Sequence, residues 1–147
     1  MQPIIQTADF NSLEQVQSIE LRRQILRIPL GLDFSNEELQ NEFNQVHIVA
    51  SLNNQIIGVL LLVKDDYRKY LKMRQVAVDN DFQGMGIGQK MVLFSEKWAK
   101  ENQYKAIELH ARLSAVEFYK KMNYQMVGDE FTEVGIPHFK MIKTILK

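Results

Sequence analysis

The sequence predicts a mixed α/β (α+β) domain, and three observations carry that expectation. Seven short runs rich in Val, Ile, Leu, Met or Phe have the length of strands, and between them lie segments with helix-start signals or helical apolar spacing. The two kinds interleave in the order β-α-(α)-β-β-β-α-β-α-β-β, which favours a mixed sheet with helices against it. Two of the apolar runs flank Asn53-Asn54, a pair that tolerates positive φ and marks a hairpin.

The elements follow in order. Ile4 and Ile5 suggest a short first strand. Ser12 with Gln15 forms a capping-box pattern, and Leu13, Val16, Leu21, Ile25 and Ile28 give one apolar helical face, ended by Pro29 and Gly31. Ser35 with Glu38 starts a second, short helix. Val46–Leu52 and Gln55–Lys64 form the hairpin, a charged loop covers Asp65 to Lys69, and Met73–Val78 is the next strand. A glycine-rich run, Gln83–Gly88, leads into a helix with Met91, Val92, Phe94, Trp98 and Ala99 on or near its buried side. Ala106–Ala111 reads as a strand, and Ser114–Met122 as a helix ended by Asn123, a residue that accepts a left-handed cap. Tyr124–Val127 and His138–Leu146 complete the set as strands around a loop with Gly135 and Pro137.

At 147 residues, with no repeat, linker or low-complexity tract, the chain is expected to be a single domain over 1–147. Its 46% hydrophobic and 24% charged residues match globular proteins and argue against disorder. Eighteen Lys and Arg balance eighteen Asp and Glu, which excludes a generally basic nucleic-acid binder. The chain has no Cys, so disulfides, a thiolate nucleophile and cysteine-ligated zinc are excluded. His47, His110 and His138 lack metal-ligand spacing, and no metal is expected. The N-terminus lacks a signal-peptide pattern, and the longest apolar stretch, Ile56 to Val63, is too short to span a bilayer. A cytoplasmic protein with no nucleic-acid or membrane partner is expected.

The chemistry concentrates at Met73–Val78, then Asp79 to Phe82, then Gln83-Gly-Met-Gly-Ile-Gly88, then a helix. Glycines at 84, 86 and 88 remove Cβ atoms where backbone N–H groups can converge at a helix N-terminus, a ready site for phosphate or pyrophosphate. A dinucleotide fingerprint would need Gly at position 89, where Gln89 stands, and Gln89-Lys90-Met91 also fails the P-loop pattern.

Here the sequence resembles the Gcn5-related N-acetyltransferase (GNAT) superfamily. The family's acetyl-CoA motif is Arg or Gln, two residues, Gly, one residue, Gly or Ala; Gln83, Gly86 and Gly88 fill it in register. Arg74-Gln-Val-Ala-Val-Asp79, Ala115-Val-Glu-Phe-Tyr119 and the element order also fit the family pattern, over essentially the whole chain. The tail Phe131 to Met141 resembles the ElaA/YjcF branch. The resemblance implies a mostly antiparallel sheet of about seven strands, splayed at the centre, with helices on both faces. It implies that the amides of Gln83, Gly84, Met85, Gly86, Ile87, Gly88 and Gln89 hold the pyrophosphate of acetyl-CoA. The pantetheine arm would run along Val76, Ala77 and Val78, with Phe118 and Tyr119 at its reactive end. An amine would then attack the thioester directly, without an acyl-enzyme. Two positions depart from the pattern: Arg112 stands where many relatives carry an Asn that binds the pantetheine, and Asn123-Tyr124 replaces Gly-Phe.

Tyr119 is the expected general acid, a phenol that can protonate the departing thiolate. An amine nucleophile is protonated at neutral pH, so a base is needed. His138 is the first candidate, and Glu108 and His110, which alternate onto one strand face, come next. His47 is read as structural. Arg22, Arg23 and Arg27 form either a solvated face or a carboxylate-binding site for the acceptor. The expected activity is acetyl transfer from acetyl-CoA to a small-molecule or peptide primary amine, and a homodimer is compatible with it. The alternative is a CoA-binding sensor without turnover.

Overall fold

The computed structural model describes residues 2–147. The strands are β1 (Ile4–Ala8), β2 (Val46–Leu52), β3 (Gln55–Asp65), β4 (Tyr70–Val78), β5 (Ala106–Arg112), β6 (Gln125–Glu133) and β7 (Ile136–Thr144). The helices are α1 (Leu13–Arg22), α2 (Asn36–Gln40), α3 (Ile87–Glu101) and α4 (Val116–Lys121). The strands form a sheet in the order β1-β2-β3-β4-β5-β7-β6. Each pairing with a defined register is antiparallel except β4 with β5. This is the mixed, mostly antiparallel architecture expected from the sequence. Contacts group the chain into two compact units: one runs up to Val63 and adds Gln75–Ser95, and the other is Lys64–Arg74 with Glu96–Lys147.

In the first unit, Asn53 (φ 52°) and Asn54 (φ 63°) make the tight β2–β3 turn, in a left-handed region that asparagine enters more readily than most residues. Every residue of β3 from Ile56 to Leu62 is buried. Leu21, Val49, Ile56, Val59 and Ala77 form a core cluster, with Ala8, Ile25 and Leu26 packed against it. A Cβ on Gly58 would lie 2.9 Å from both Sδ and Cε of Met91, so the glycine leaves room for the tip of that side chain. The capping box of α2 is complete: Ser35 Oγ accepts from the Glu38 amide at 3.1 Å, and the Glu38 carboxylate accepts from the Ser35 amide at 3.2 Å.

The face expected of α1 holds only for Leu21, which is buried, and Ile25, which packs on the core; Leu13, Val16 and Ile28 are exposed. Leu13 and Val16 are 68% and 50% exposed, whereas Gln15, Ser18, Leu21 and Arg22 are buried. Polar side chains turn inward here on specific partners: Gln15 Oε1 accepts from the Asn11 amide at 3.0 Å, Ser18 Oγ donates to the Gln15 carbonyl at 2.6 Å, and Arg22 pairs with Glu42, while Gln15 Nε2 has no partner among the described residues. The α-helical turn then widens to a π-turn over Arg23–Arg27 and tightens to a 3-10 turn over Ile28–Leu30, closed by left-handed Gly31.

In the second unit, β4 runs parallel to β5 from Tyr70–Ala106 to Met73–Leu109. Trp98 stacks on Tyr104 at 5.8 Å, and Glu96 accepts hydrogen bonds from both Tyr124 and Lys143. Of the expected α3 core, Met91, Val92 and Ala99 are buried, while Phe94 and Trp98 are half-buried. The β6–β7 hairpin is longer than expected. β6 continues past Val127 to Glu133 across a bulge at left-handed Gly128, and the turn is Val134-Gly135, so Pro137 belongs to β7. The polar run Gly128-Asp129-Glu130 looks like a turn in sequence; as a bulge on a solvent-facing strand it keeps the strand going. No helix among the described residues is long and apolar enough to cross a membrane.

Candidate active site

The first unit carries the glycine loop. β4 ends at Val78, and the Asp79 amide donates to the Ile57 carbonyl at 2.8 Å, which anchors the loop to β3. Asp79 Oδ1 accepts from the Asp81 amide at 2.9 Å and caps the 3-10 turn Asn80–Phe82. Gln83 Nε2 donates to the Val78 carbonyl at 3.1 Å and to Asn80 Oδ1 at 3.0 Å, so its side chain staples the loop to the strand end. Gly84 (φ 81°) and Gly86 (φ 79°) are left-handed, and a Cβ at either would meet nothing within 4 Å. The glycines therefore answer a backbone requirement with open space beside it. Gly88 lies inside α3, so its place in the motif is helical rather than part of the turn.

The first intrahelical bond of α3 runs from the Lys90 amide to the Gly86 carbonyl at 3.0 Å. The preceding amides of Ile87, Gly88 and Gln89 therefore have no helical acceptor, and the helix dipole adds partial positive charge there. Ile87 is buried and pins this end, while Gln83, Gly84, Met85, Gly86 and Gln89 are exposed. The arrangement suits a doubly charged anion such as a pyrophosphate. On β4, Ala77 is buried, and Val76 and Val78 are half-buried. Gln75 takes φ 58° within the strand, and its buried Oε1 has no hydrogen-bond partner among the described residues.

Beside this loop an open cleft of about 550 Å³ is lined by Gln17 and Glu20 of α1, by Gln24 of the π-turn after it, by Asn54, and by Asp79 and Asp81. The arginines of α1 and the π-turn after it do not supply a free carboxylate clamp. Arg22 is fully buried on Glu42, Arg23 is held by Asp33 and Glu20, and Arg27 lies over the Phe34 ring at 4.5 Å. Neither sequence expectation for the three residues, a solvated face or an acceptor site, describes Arg22.

The second unit carries the candidate acid and bases. Tyr119 is 6% exposed and meets Phe118 edge-on at 5.0 Å and Tyr124 edge-on at 5.6 Å. Burial pushes its phenol up to about 12, so it is fully protonated at neutral pH. Phe118, beside it on α4, is exposed. The left-handed Asn123 (φ 72°) ends this helix as expected, and the Tyr124 amide donates back to the Tyr119 carbonyl at 3.0 Å.

Glu108 is matched by two cations: Arg68 Nη2 at 2.6 Å and Lys140 Nζ at 3.5 Å. Burial pushes its carboxyl up, but Arg68 and Lys140 outweigh that and hold it below the usual carboxylate range. That makes it a poor base. His138 is 4% exposed, and its Nδ1–H donates to the Ile136 carbonyl at 2.8 Å, which leaves Nε2 as the basic nitrogen of the neutral ring. His138 also pairs in register with Arg112 across β5–β7.

The residue that sequence reasoning missed is Glu133. Its Oε1 accepts from His110 Nδ1 at 2.9 Å, and its Oε2 lies 3.7 Å from His138 Nε2. One carboxylate thus faces both histidines. Burial pushes Glu133 up, but the hydrogen bond from His110 and the charges around it hold it below its usual range. The signal for it lies in the hairpin: with Val134-Gly135 as the turn, Glu133 falls beside the start of β7. Among the described residues no group of three or more His, Asp or Glu is arranged to hold a metal ion.

The family model described as Acetyltransferase (GNAT) domain matches residues 30–145. The chain belongs to the GNAT family. It is thereby a member of an acyltransferase family. YjcF of Bacillus subtilis, an N-acetyltransferase by description, is 32% identical over 109 residues, which are 73% of this chain and 74% of that one. YyaT of the same organism is 34% identical over 74 residues, half of each chain. Among solved structures, an aminoglycoside 6'-N-acetyltransferase complexed with coenzyme A superposes with TM-score 0.83 at 19% identity over 98% of both chains. ElaA of Escherichia coli superposes with TM-score 0.81 at 19% identity, over 97% of this chain and 99% of that one. YjcF and ElaA agree with the branch that the tail of the sequence resembles.

Proposed function

We propose that the chain moves the acetyl group of acetyl-CoA directly onto the nitrogen of a primary amine, with no acyl-enzyme. The observation that carries this reading is the loop Gln83–Gln89, whose open left-handed glycines and helix-start amides without a helical acceptor sit in register with the GNAT acetyl-CoA motif. The CoA-bound aminoglycoside acetyltransferase of the same fold supports the choice of donor. In this reading the loop holds the pyrophosphate, Val76, Ala77 and Val78 offer strand backbone to the pantetheine, and Phe118 supplies an apolar face near its end. Both compact units belong to one acetyltransferase domain, and the protein works in the cytoplasm, alone or as a homodimer, without nucleic acid or membrane.

His138 Nε2 takes one proton from the acceptor ammonium. The freed lone pair forms the N–C bond while the carbonyl electron pair moves to oxygen; it returns as the C–S bond breaks. The thiolate takes the Tyr119 proton, and the second proton shed by the nitrogen restores the phenol. An ammonium and acetyl-CoA thus give an amide, CoA thiol and one proton, which leaves from His138.

The test is thiol release from acetyl-CoA across a panel of primary amines, paired with a calorimetric titration of CoA. Amine-dependent release is expected. CoA binding without release for any amine favours a sensor, and absence of CoA binding overturns both readings.

A further inference from the structure

Glu133 on β6 and His138 on β7 face each other with two hydrogen-bond acceptors and no donor between them. His138 spends its Nδ1–H on the Ile136 carbonyl at 2.8 Å, so the neutral ring presents a lone pair at Nε2. Glu133 has Oε1 occupied by His110 Nδ1–H at 2.9 Å, which leaves Oε2 open, 3.7 Å from that lone pair. The Phe131 ring backs the pair, near-parallel to His138 at 6.0 Å and edge-on to His110 at 4.9 Å. Two lone-pair bearers at this spacing repel, and a group with several N–H donors at one nitrogen relieves them both. Glu133 is also reachable: its side chain is 46% exposed, against 5% for His138.

We propose that the gap between Glu133 Oε2 and His138 Nε2 is the seat of the acceptor's ammonium group. One N–H is given to Glu133 Oε2 and another to His138 Nε2, which keeps that proton when the nitrogen turns nucleophilic. The proposal rests on the acetyl-transfer reading above and adds the residue that binds the amine. It also narrows the substrate class. Lys72 is in register with Glu108, and Lys140 with His110, so β4 and β7 bring further cations to this strand face. Arg68 and Lys140 are matched by Glu108, but Lys72 has no ion-pair partner among the described residues. Burial and the nearby Arg74 hold Lys72 below the usual lysine range, against the attraction of Glu133 and Glu108. A second ammonium beside Glu133 would meet Lys72, which opposes a polycation. The acceptor is a primary amine with one ammonium group.

The test reads the seat with and without turnover. The chain has only three histidines, so their ring signals are resolvable by heteronuclear NMR and assignable with His47→Gln, His110→Gln and His138→Gln. Titration with ethylammonium chloride is expected to shift the His138 and His110 rings saturably and leave His47 still. Tetramethylammonium, which has no N–H, is expected to give no saturable shift. Glu133→Gln should abolish the response, and Glu133→Asp should weaken it, the second variant covering a folding failure of the first. In turnover, Glu133→Gln should raise KM for ethylamine at least tenfold with KM for acetyl-CoA unchanged, and spermidine should be a poorer acceptor than ethylamine. Saturation that survives in Glu133→Gln, or an equal response to tetramethylammonium, overturns the seat. A normal ethylammonium response in a protein that releases no thiol with any amine overturns acetyl transfer and keeps the seat.

Discussion

Arg22 and Glu42 meet in a bidentate pair, Nη1 to Oε1 at 2.8 Å and Nη2 to Oε2 at 2.6 Å, with no part of the arginine exposed. The guanidinium also lies over the Phe34 ring at 4.6 Å. This joins α1 to the turn after α2, and it explains why a helix of modest apolar character still has a buried face. The carboxylate takes both guanidinium N–H donors that point at it, while Arg22 Nε has no partner among the described residues.

Breaking one half of such a pair leaves a charge buried without its counterion. Glu42→Gln is expected to destabilise the fold by about 3 kcal/mol, the low end for a broken buried pair because the amide still accepts one bond. Replacing both members, Arg22→Met with Glu42→Leu, should return stability to within about 1 kcal/mol of the parent, since desolvation and attraction vanish together. Urea denaturation of the three proteins measures both values. A single variant as stable as the parent would mean the guanidinium is hydrated.

His47, next to this pair, predicts an acid-labile step. Its Nε2–H donates to the Glu42 carbonyl at 2.9 Å, and its buried Nδ1 has no partner, so a proton added there would be buried without an acceptor. Burial, and secondarily Arg22, lower its affinity for that proton. An unfolded histidine titrates near 6.5, so as pH falls below about 6.5 the unfolded state takes the proton first and the folded state loses ground. The loss ends once pH passes the lowered folded value. His47→Gln, which keeps an N–H donor, is expected to be less stable at pH 7 but to lose less stability between pH 7 and 5. The comparison is the denaturation midpoint at each pH; parallel curves would place the acid lability elsewhere.

Much of this architecture is legible in local signals. Asn53-Asn54, the Ser35/Glu38 box, Asn123 and the glycine loop each depend on residues within a few positions of one another, so their chemistry shows in the sequence. The misses depend on partners far along the chain. Gln15, Ser18 and Arg22 face inward on α1 partly because Glu42, twenty residues past Arg22, neutralises the arginine, which apolar spacing cannot reveal. Leu13 and Val16, the apolar residues that pointed to the other face, are left in water. Glu133 was hidden because its nearness to His110 and His138 needs the β6–β7 register and the Gly128 bulge. The glycine loop was found, but the separate duties of its glycines were not: two turn the chain and Gly88 is helical.

Gly86 separates binding from folding if the substitution respects its backbone. At φ 79° a β-branched residue is strained, so Gly86→Val should lose stability as well as CoA affinity. Asn tolerates this region, and a Cβ there meets nothing within 4 Å. Gly86→Asn is expected to keep stability within about 1 kcal/mol of the parent, the scale of the left-handed cost for such residues. Its CoA affinity should fall more than about tenfold, because the side chain enters the space the phosphate must approach. Denaturation and calorimetric titration give the two numbers; unchanged affinity in the Asn variant would take the loop out of the site.

Tyr119→Phe tests chemistry apart from binding. The substitution removes one hydroxyl and keeps the ring that contacts Phe118 and Tyr124, so packing and CoA affinity should change little. The phenol stands near 12, while a simple thiol has a value of about 8.5. Transfer to the freed thiolate is therefore uphill by about 5 kcal/mol, and to the sulfur before C–S cleavage more so, so the proton moves as the thiolate departs and the nitrogen's proton restores the phenol. The loss on removing it should then lie near the lower end of the range for a positioned acid, about 10²-fold, and appear in kcat more than in KM. It should shrink when the acyl donor carries a more acidic thiol, which leaves without help. A phenol that stays protonated to about 12 also contributes no fall in rate below about pH 11, so any earlier basic limb should persist in the variant. A limb that disappears in Tyr119→Phe would mean the phenol titrates lower than its burial dictates. Full activity would hand the proton to water, and a matching loss of CoA binding would make the hydroxyl a cofactor contact rather than the acid.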